Sequence, residues 1–289
     1  MIALSPAATG PRIGLALGGG GARGLSHIHV LEALDDLGLR PAAIAGTSIG
    51  AIFGAAAAAG LSGHEVRELT LAALGRPGDV WGRLWNLRPR SFSDLVGGIP
   101  LFDPEAVLRE FLPPEVPDDF ADLAVPFAAV ATDFYGVAEI EITAGTLRTA
   151  IAASVALPVI FRPVERDGMT LVDGGIVNPL PFDKLPDNVD IVVAVDVIGT
   201  PVRPAKRSAP NASEALFGAS QVLMHALVAE KLKSRQPDLL FRPPVDHFRV
   251  LDFLKVKEIL KATASVREDV KRQLDALVRR QTSAPLAEK

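Results

Sequence analysis

Apolar positions in the first sixty residues switch between two spacings. Arg12–Leu17 (RIGLAL) is a short apolar run closed by four glycines, Gly18 to Gly21, and reads as a strand. From Arg23 to Leu37 the apolar residues Leu25, Ile28, Val30, Leu31, Leu34 and Leu37 approximate helical spacing, with Gly38 as a stop. Ala42–Ala45 is a second short strand, and Ile49–Ala59 is a helix of small residues suited to close packing on a sheet. Strand, glycine turn, helix, strand, tight turn, helix is the order of a parallel sheet covered by helices.

The pattern changes from Gly75 to Asp119, a stretch rich in Pro, Gly and Arg that holds both tryptophans. It reads as an irregular, cap-like excursion with short helices. Regular structure returns at Pro126–Thr132 and Ala138–Thr143, followed by a helix from Thr146 to Ala156. Asp190–Val197 (DIVVAVDV) is a buried strand. After the loop Thr200–Pro210 come a helix over Ser213–Ser234, a short strand at Asp238–Phe241 and one charged, amphipathic helix over Lys255–Arg280. The expected architecture is a single α/β domain over residues 12–280, with a largely parallel central sheet and helices on both faces. Residues 1–11 and 281–289 read as flexible termini.

Composition narrows the function. With 30 Lys+Arg against 34 Asp+Glu the net charge is −4, which lacks the basic excess of a nucleic-acid binder. With 48% apolar and 22% charged residues the balance is that of a globular domain. There is no cysteine, so disulfides, thiolate catalysis and Cys-ligated zinc are excluded, and a reducing cytoplasm is the fitting compartment. Pro41–Gly63 carries no charge over a membrane-spanning length, but Gly46, Gly50, Gly54 and Gly60 interrupt it. A buried strand, a turn and a buried helix account for it better, and the chain reads as soluble.

Three constellations carry chemistry. Gly46-Thr47-Ser48-Ile49-Gly50 places a G-x-S-x-G between a predicted strand and a predicted helix, a turn that lifts a serine hydroxyl to the end of a sheet. The bland alternative is a tight turn with Ser48 as a helix cap. Gly18 to Gly24, with Arg23 inside it, follows the first strand and opens a helix. Its backbone amides could hold a pyrophosphate, since Gly19, Gly21 and Gly24 satisfy G-x-G-x-x-G, or an oxyanion formed at a nearby serine. The second strand ends Ile44-Ala45-Gly46 without the carboxylate that dinucleotide binding expects. Asp173-Gly174-Gly175 is either a turn or a base on a loop. Among His27, His29, His64, His225 and His247, only His247 occupies a typical triad location; it would need Asp173 or Asp196 between it and the serine.

Together these segments make the sequence resemble the bacterial patatin-like phospholipases, related to plant patatin and to the esterase domain of neuropathy target esterase. Gly19-Gly20-Gly21-Ala22-Arg23-Gly24 is similar to the family's G-G-G-x-R-G oxyanion motif, and Gly46–Gly50 to its nucleophile elbow. Ala153-Ser154-Val155-Ala156-Leu157-Pro158 resembles its A-S-x-x-x-P segment. Asp173-Gly174-Gly175 resembles its D-G-G motif, with Asn178-Pro179 following. The resemblance implies a Ser48–Asp173 dyad without histidine, with Ser48 as nucleophile and Asp173 as base. It implies an oxyanion hole in the Gly19, Gly20, Gly21, Arg23, Gly24 segment, with the amides of Gly20 and Gly21 as donors and Arg23 shaping the loop. No metal or cofactor is implied, and the substrate would be a lipid or lysophospholipid ester. A silent lipid-binding or regulatory protein and a nucleotide binder using the glycine loop are the competing expectations.

Trp81, Leu84, Trp85 and Leu87 fall near one helical face, with Arg76, Arg83, Arg88 and Arg90 around them. That segment could touch a membrane surface peripherally, although packing of the tryptophans into the domain is the favoured expectation. Arg203–Arg207 reads as a solvated turn, and Met224 and Leu227 as core.

Overall fold

A computed structural model describes residues 10–87, 95–96, 99–203 and 209–283. Of the expected termini 1–11 and 281–289, residues 1–9 and 284–289 lie outside these residues, as do the cations Arg88 and Arg90 and residues 204–208 of the basic turn, whereas residues 281–283 continue the last helix. The chain opens with strand β1 (Ile13–Leu17), a 3-10 turn (Gly21–Ser26) and helix α1 (His27–Asp36). Then come β2 (Pro41–Thr47), α2 (Ile49–Ala58), α3 (Gly63–Leu74), α4 (Pro77–Leu87), the short pair β3 (Leu95–Val96) and β4 (Ile99–Pro100), and α5 (Pro104–Phe111). Next are β5 (Phe127–Asp133), β6 (Ala138–Ile142), α6 (Leu147–Val155), β7 (Val164–Arg166) and β8 (Met169–Asp173). The chain continues with β9 (Ile191–Val195), α7 (Ala212–Ser234), β10 (Leu239–Phe241), α8 (Val256–Ala262) and α9 (Ser265–Ser283).

The main sheet runs β10-β9-β1-β2-β5-β8-β7, with β6 also paired to β5. Pairing is parallel from β10 through β5 and antiparallel beyond it. The parallel half follows from βα alternation, since each crossover must return over a covered face. The antiparallel half contains a hairpin, β7–β8, whose turn Asp167-Gly168 has both φ angles positive, 51° and 77°. A two-residue turn with two positive φ angles matches the twist of a hairpin, and Asp-Gly favours it.

The two faces of the sheet are unequal. One presents Ile13, Leu15, Leu17, Ile44, Val193 and Val195 to a large core shared with α1, α2, α6, α8 and α9. The other presents alanines, Ala16, Ala43, Ala45, Ala128 and Ala194. These small residues let Leu180, Phe182, Leu185 and Val228 of α7 close over the strands. Helices thus cover both faces, as expected, but α7 stands almost alone on the second.

Several elements depart from expectation. Gly21–Ser26 is a 3-10 turn and not the first turn of a helix begun at Arg23. The final helix is two, α8 and α9; the fully buried Thr263 lies between them, its amide and its hydroxyl both donating to the Ile259 carbonyl, at 3.0 and 2.8 Å. The excursion after Gly75 contains the short helices α4 and α5 and the pair β3–β4 among its described residues. Trp81 and Trp85 on α4 are 63% and 65% exposed, more than the expected packing into the domain would leave. Leu227 on α7 is also exposed, along with Leu216, Val222 and Leu223, so it is not core. No described helix is long and apolar enough to cross a membrane. The uncharged stretch Pro41–Gly63 folds as β2, a turn and α2.

Candidate active site

The site arises where two strands meet end to end. Strand β6 takes one edge of β5 over Ala129–Asp133. On the opposite edge β2 pairs first, up to Thr47 against Val130, and β8 continues from Asp173 against Ala131. Because β2 runs parallel to β5 and β8 antiparallel, their carboxyl ends converge. Ser48 leaves the end of β2 and Asp173 closes β8, although 125 positions separate them in sequence.

Ser48 caps α2 in a conformation that side chains rarely adopt, φ 55° and ψ −123°. Such a backbone costs on the order of 1–3 kcal/mol and persists only when its surroundings hold it. Gly46 and Gly50 make the turn possible by close approach: a Cβ at Gly50 would overlap the Leu17 carbonyl oxygen, and one at Gly46 would overlap the Gly50 carbonyl. The Ser48 amide donates to Ser154 Oγ at 2.9 Å, and Ser154 Oγ donates to the Val130 carbonyl at 2.6 Å. Ser48 Oγ donates to Asp173 Oδ2 at 2.6 Å.

Asp173 is 5% exposed. Its second carboxylate oxygen accepts the Gly175 amide at 2.7 Å, and its backbone carbonyl accepts Thr132 Oγ1 at 2.9 Å. Burial raises its pKa to about 6, against the opposing pull of the Ser48 and Gly175 hydrogen bonds. A carboxylate with raised proton affinity is a better acceptor for a serine proton than an ordinary aspartate.

The glycine loop lies against Ser48, and a Cβ at Gly19 would sit 3.3 Å from the Ser48 Cβ. Its amides divide by use. Gly18 donates to Val195, Gly19 to Pro179 at 2.9 Å, and Ala22 to Val250 at 2.8 Å. Between them, the amides of Gly20 and Gly21 have no partner among the described residues. The loop also needs glycine at Gly21, where φ is 60° and a Cβ would overlap the Val250 carbonyl. The residues of the Gly19–Gly24 segment thus stand in different surroundings. The Gly19 amide is already engaged. Arg23 is buried, with its guanidinium donating to the Phe248 carbonyl at 2.7 Å and to the Ile198 carbonyl, so it braces the loop from behind. Gly24 lies where a Cβ would overlap the Ile49 side chain, packing the turn onto α2.

No described histidine is hydrogen-bonded to Ser48 or Asp173. His27 is fully buried, and its Nε2–H must donate to the Gly18 carbonyl at 2.9 Å, since a carbonyl only accepts. Burial drives the His27 pKa down to about 4, outweighing that hydrogen bond, and keeps the ring neutral. His29 faces the Leu260 carbonyl and His225 the Gly199 carbonyl. His64 is half in water beside Glu32, and His247 is exposed. Asp196 already accepts from Arg242 and the Ile198 amide. No group of three metal-ligating side chains is gathered among the described residues.

Sequence reading placed Ser154 in a motif without a role and did not single out Thr132. A signal was present, because each is a lone hydroxyl in an otherwise apolar stretch (AIAASVALP and FAAVAT), and buried hydroxyls must find partners. Asn178 is 1% exposed; its carbonyl accepts the Thr47 hydroxyl and its side chain joins Lys231, Asp183 and Glu139 behind the elbow.

A serine on a strand–helix turn, bonded to a buried carboxylate and flanked by unpartnered amides at the carboxyl ends of a mostly parallel sheet, is an arrangement suited to acyl transfer in an α/β protein. The sequence model of the patatin-like phospholipase family matches residues 15–186, and the chain belongs to that family. It is 36% identical over 205 residues to an uncharacterized NTE family protein of Mycobacterium tuberculosis, covering 70% of this chain and 53% of that one. It is 29% identical over 280 residues to patatin-like phospholipase domain-containing protein 7 of Rattus norvegicus, covering 87% of this chain and 20% of the relative. It is also 29% identical over 277 residues to lysophospholipase NTE1 of Kluyveromyces lactis, with 87% and 18% covered. The chain thus spans about half the length of its mycobacterial relative and about a fifth of the other two. The crystal structure of VipD from Legionella pneumophila shares the fold, with a TM-score of 0.52 and 15% identity over 93% of this chain and 67% of that one.

Proposed function

We propose that this chain is a serine acyl-ester hydrolase acting on lipid or lysophospholipid esters through a Ser48–Asp173 dyad. The observation that carries the reading is the 2.6 Å hydrogen bond from Ser48 Oγ to Asp173 Oδ2 beside the unpartnered amides of Gly20 and Gly21. Ser48 Oγ attacks the acyl carbonyl while Asp173 takes its proton. The carbonyl oxygen gains the negative charge and is held by the Gly20 and Gly21 amides. Collapse expels the alcohol, which leaves with the proton from Asp173, and an acyl-serine remains. Water, giving its proton to Asp173, then attacks the ester, and collapse releases the fatty acid as Asp173 returns that proton to Ser48 Oγ.

One oxyanion donor is worth about 10²–10³ in rate, so two fixed amides offset the weakness of a carboxylate base. Membership in the patatin-like phospholipase family and the lysophospholipase name of one relative support a lipid ester as substrate. Trp81 and Trp85 supply an exposed apolar pair for peripheral contact with a lipid surface, in the cytoplasm.

The test is covalent labelling by a fluorophosphonate, read by intact mass and peptide mapping. One adduct on Ser48, absent in Ser48→Ala, followed by turnover of lysophospholipid, is the expected result. Binding of lipid vesicles without labelling or turnover would replace the reading with a silent lipid-binding protein. Protection from unfolding by a dinucleotide, surviving in Ser48→Ala, would replace it with nucleotide binding.

A further inference from the structure

Strand β5 touches both halves of the dyad without contributing to either. Val130 stands at the changeover on the β5 edge, where pairing passes from β2 to β8. Its carbonyl oxygen faces that junction, since a Cβ at Gly174 would overlap it. Ser154 Oγ donates to this carbonyl at 2.6 Å and accepts the Ser48 amide at 2.9 Å. One buried hydroxyl therefore ties the strained elbow to β5. Two residues further along the strand, Thr132 Oγ1 donates to the Asp173 carbonyl at 2.9 Å. Ser154 is fully buried and Thr132 is 4% exposed, so neither hydroxyl has water as an alternative partner.

The geometry of Ser154 is not what its place in a helix dictates. A serine inside a helix commonly turns its hydroxyl back to the carbonyl one turn earlier. Ser154, near the end of α6, reaches across to β5 and to the elbow instead. That arrangement uses the hydroxyl once as donor and once as acceptor. It also explains how Ser48 stays at φ 55° with its amide satisfied.

We infer that Ser154 and Thr132 form a two-hydroxyl clamp on β5, Ser154 positioning the nucleophile and Thr132 positioning the base, so that the Ser48–Asp173 distance is set by a strand common to both. This rests on the reading of Ser48 and Asp173 as nucleophile and base. Neither hydroxyl touches substrate, and both act through the residue they hold. Loss of either should lower the rate of the chemical step and leave substrate binding alone, because a displacement near 1 Å costs about 10²-fold in rate.

The experiment compares Ser154→Ala, Thr132→Val and Thr132→Ser with the wild type. It reads fluorophosphonate labelling rates, kcat and KM on a soluble ester, and exchange of the Ser48 amide by NMR. Thr132→Val deletes the hydroxyl at nearly constant shape, and Thr132→Ser retains it. Ser154→Ala should label about 10–100-fold more slowly, with KM within about twofold and with faster exchange at the Ser48 amide. Thr132→Val should slow labelling about tenfold without altering that exchange, and Thr132→Ser should recover most of the loss. Ser48 exchange unchanged in Ser154→Ala, labelling at the wild-type rate in both deletions, or Thr132→Ser as slow as Thr132→Val would each overturn the clamp. A wild type that takes no label breaks the assignment of Ser48 instead; Ser48 amide exchange in Ser154→Ala then decides the Ser154 arm, and kcat on the soluble ester in the two Thr132 variants decides the Thr132 arm.

Discussion

Asp173 and Glu32 are both carboxylates withdrawn from water, 5% and 1% exposed, at different places in the fold. Glu32, on α1, is met by cations from other helices. Arg67 of α3 donates to both of its oxygens, at 2.7 and 2.6 Å, and Arg267 of α9 stands 3.5 Å away. Burial pushes the Glu32 pKa up, but the Arg67 hydrogen bonds and charge, helped by Arg267 and His29, reverse this and hold it below the usual glutamate value. Asp173 has only neutral donors, a hydroxyl and an amide, and burial carries its pKa to about 6. The difference lies in the company each group keeps. Glu32 fastens α1 to α3 and α9, whereas Asp173 is left with an affinity for a proton.

The contrast breaks most visibly at the dyad. Ser48→Ala and Asp173→Asn should each lower ester hydrolysis by about 10³-fold or more, with circular dichroism unchanged. Glu32→Gln, equally buried, should leave kcat within about twofold. Activity of Asp173→Asn near that of the wild type would remove the base from the mechanism.

Titration sharpens the same point. Asp173 must be ionised to accept a proton, so kcat/KM should rise through pH about 6 and level off above it. Below that value it should fall about tenfold per pH unit. In Ser48→Ala the amount of folded protein should show no such inflection.

Stability should move in opposite directions. Glu32→Gln should cost about 2 kcal/mol, less than the 3–5 of a fully buried pair, because Arg67 and Arg267 remain 27% and 29% exposed. The contribution of Glu32 is present above its unfolded pKa and is lost as pH falls through its lower folded value. For Asp173 the sign is reversed: its contribution is full below about pH 4 and is lost as pH rises through about 6. From 3.8 to about 6 the linkage amounts to about 3 kcal/mol. Asp173→Asn should therefore be at least as stable as the wild type at pH 8, with any advantage shrinking towards pH 4, as denaturant melts would show. The smallest effect belongs to His247→Ala, since the ring is exposed. Its activity should stay within about twofold, and a large loss would restore a histidine to the mechanism.

Much of this was legible in the chain. β1, β2, α2, β5, α6 and β9 follow apolar spacing to within a few residues, because each buries a continuous face. The elements that were not anticipated carried local signals. Ser62 and Glu65 form a capping box that opens α3, and Asp167-Gly168 is a hairpin turn. The face of α7 could not be read, because it is apolar on its outer side as well as its inner one. At the site, sequence pointed to Ser48, Asp173 and the glycine loop. It could not tell which amides were free, since that depends on the carbonyls of Pro179 and Val250, distant in sequence. The same distance concealed the link from Ser154 to Val130.

The end-to-end meeting of β2 and β8 also governs when the site comes into being. Local helices can form as soon as their own residues are available, but Ser48 and Asp173 become neighbours only after β2, β5 and β8 have docked in register. A chain emerging from the ribosome presents the serine 125 residues before its partner exists. The elbow therefore matures late in assembly, and a covalent probe for Ser48 reports completed topology rather than helix content.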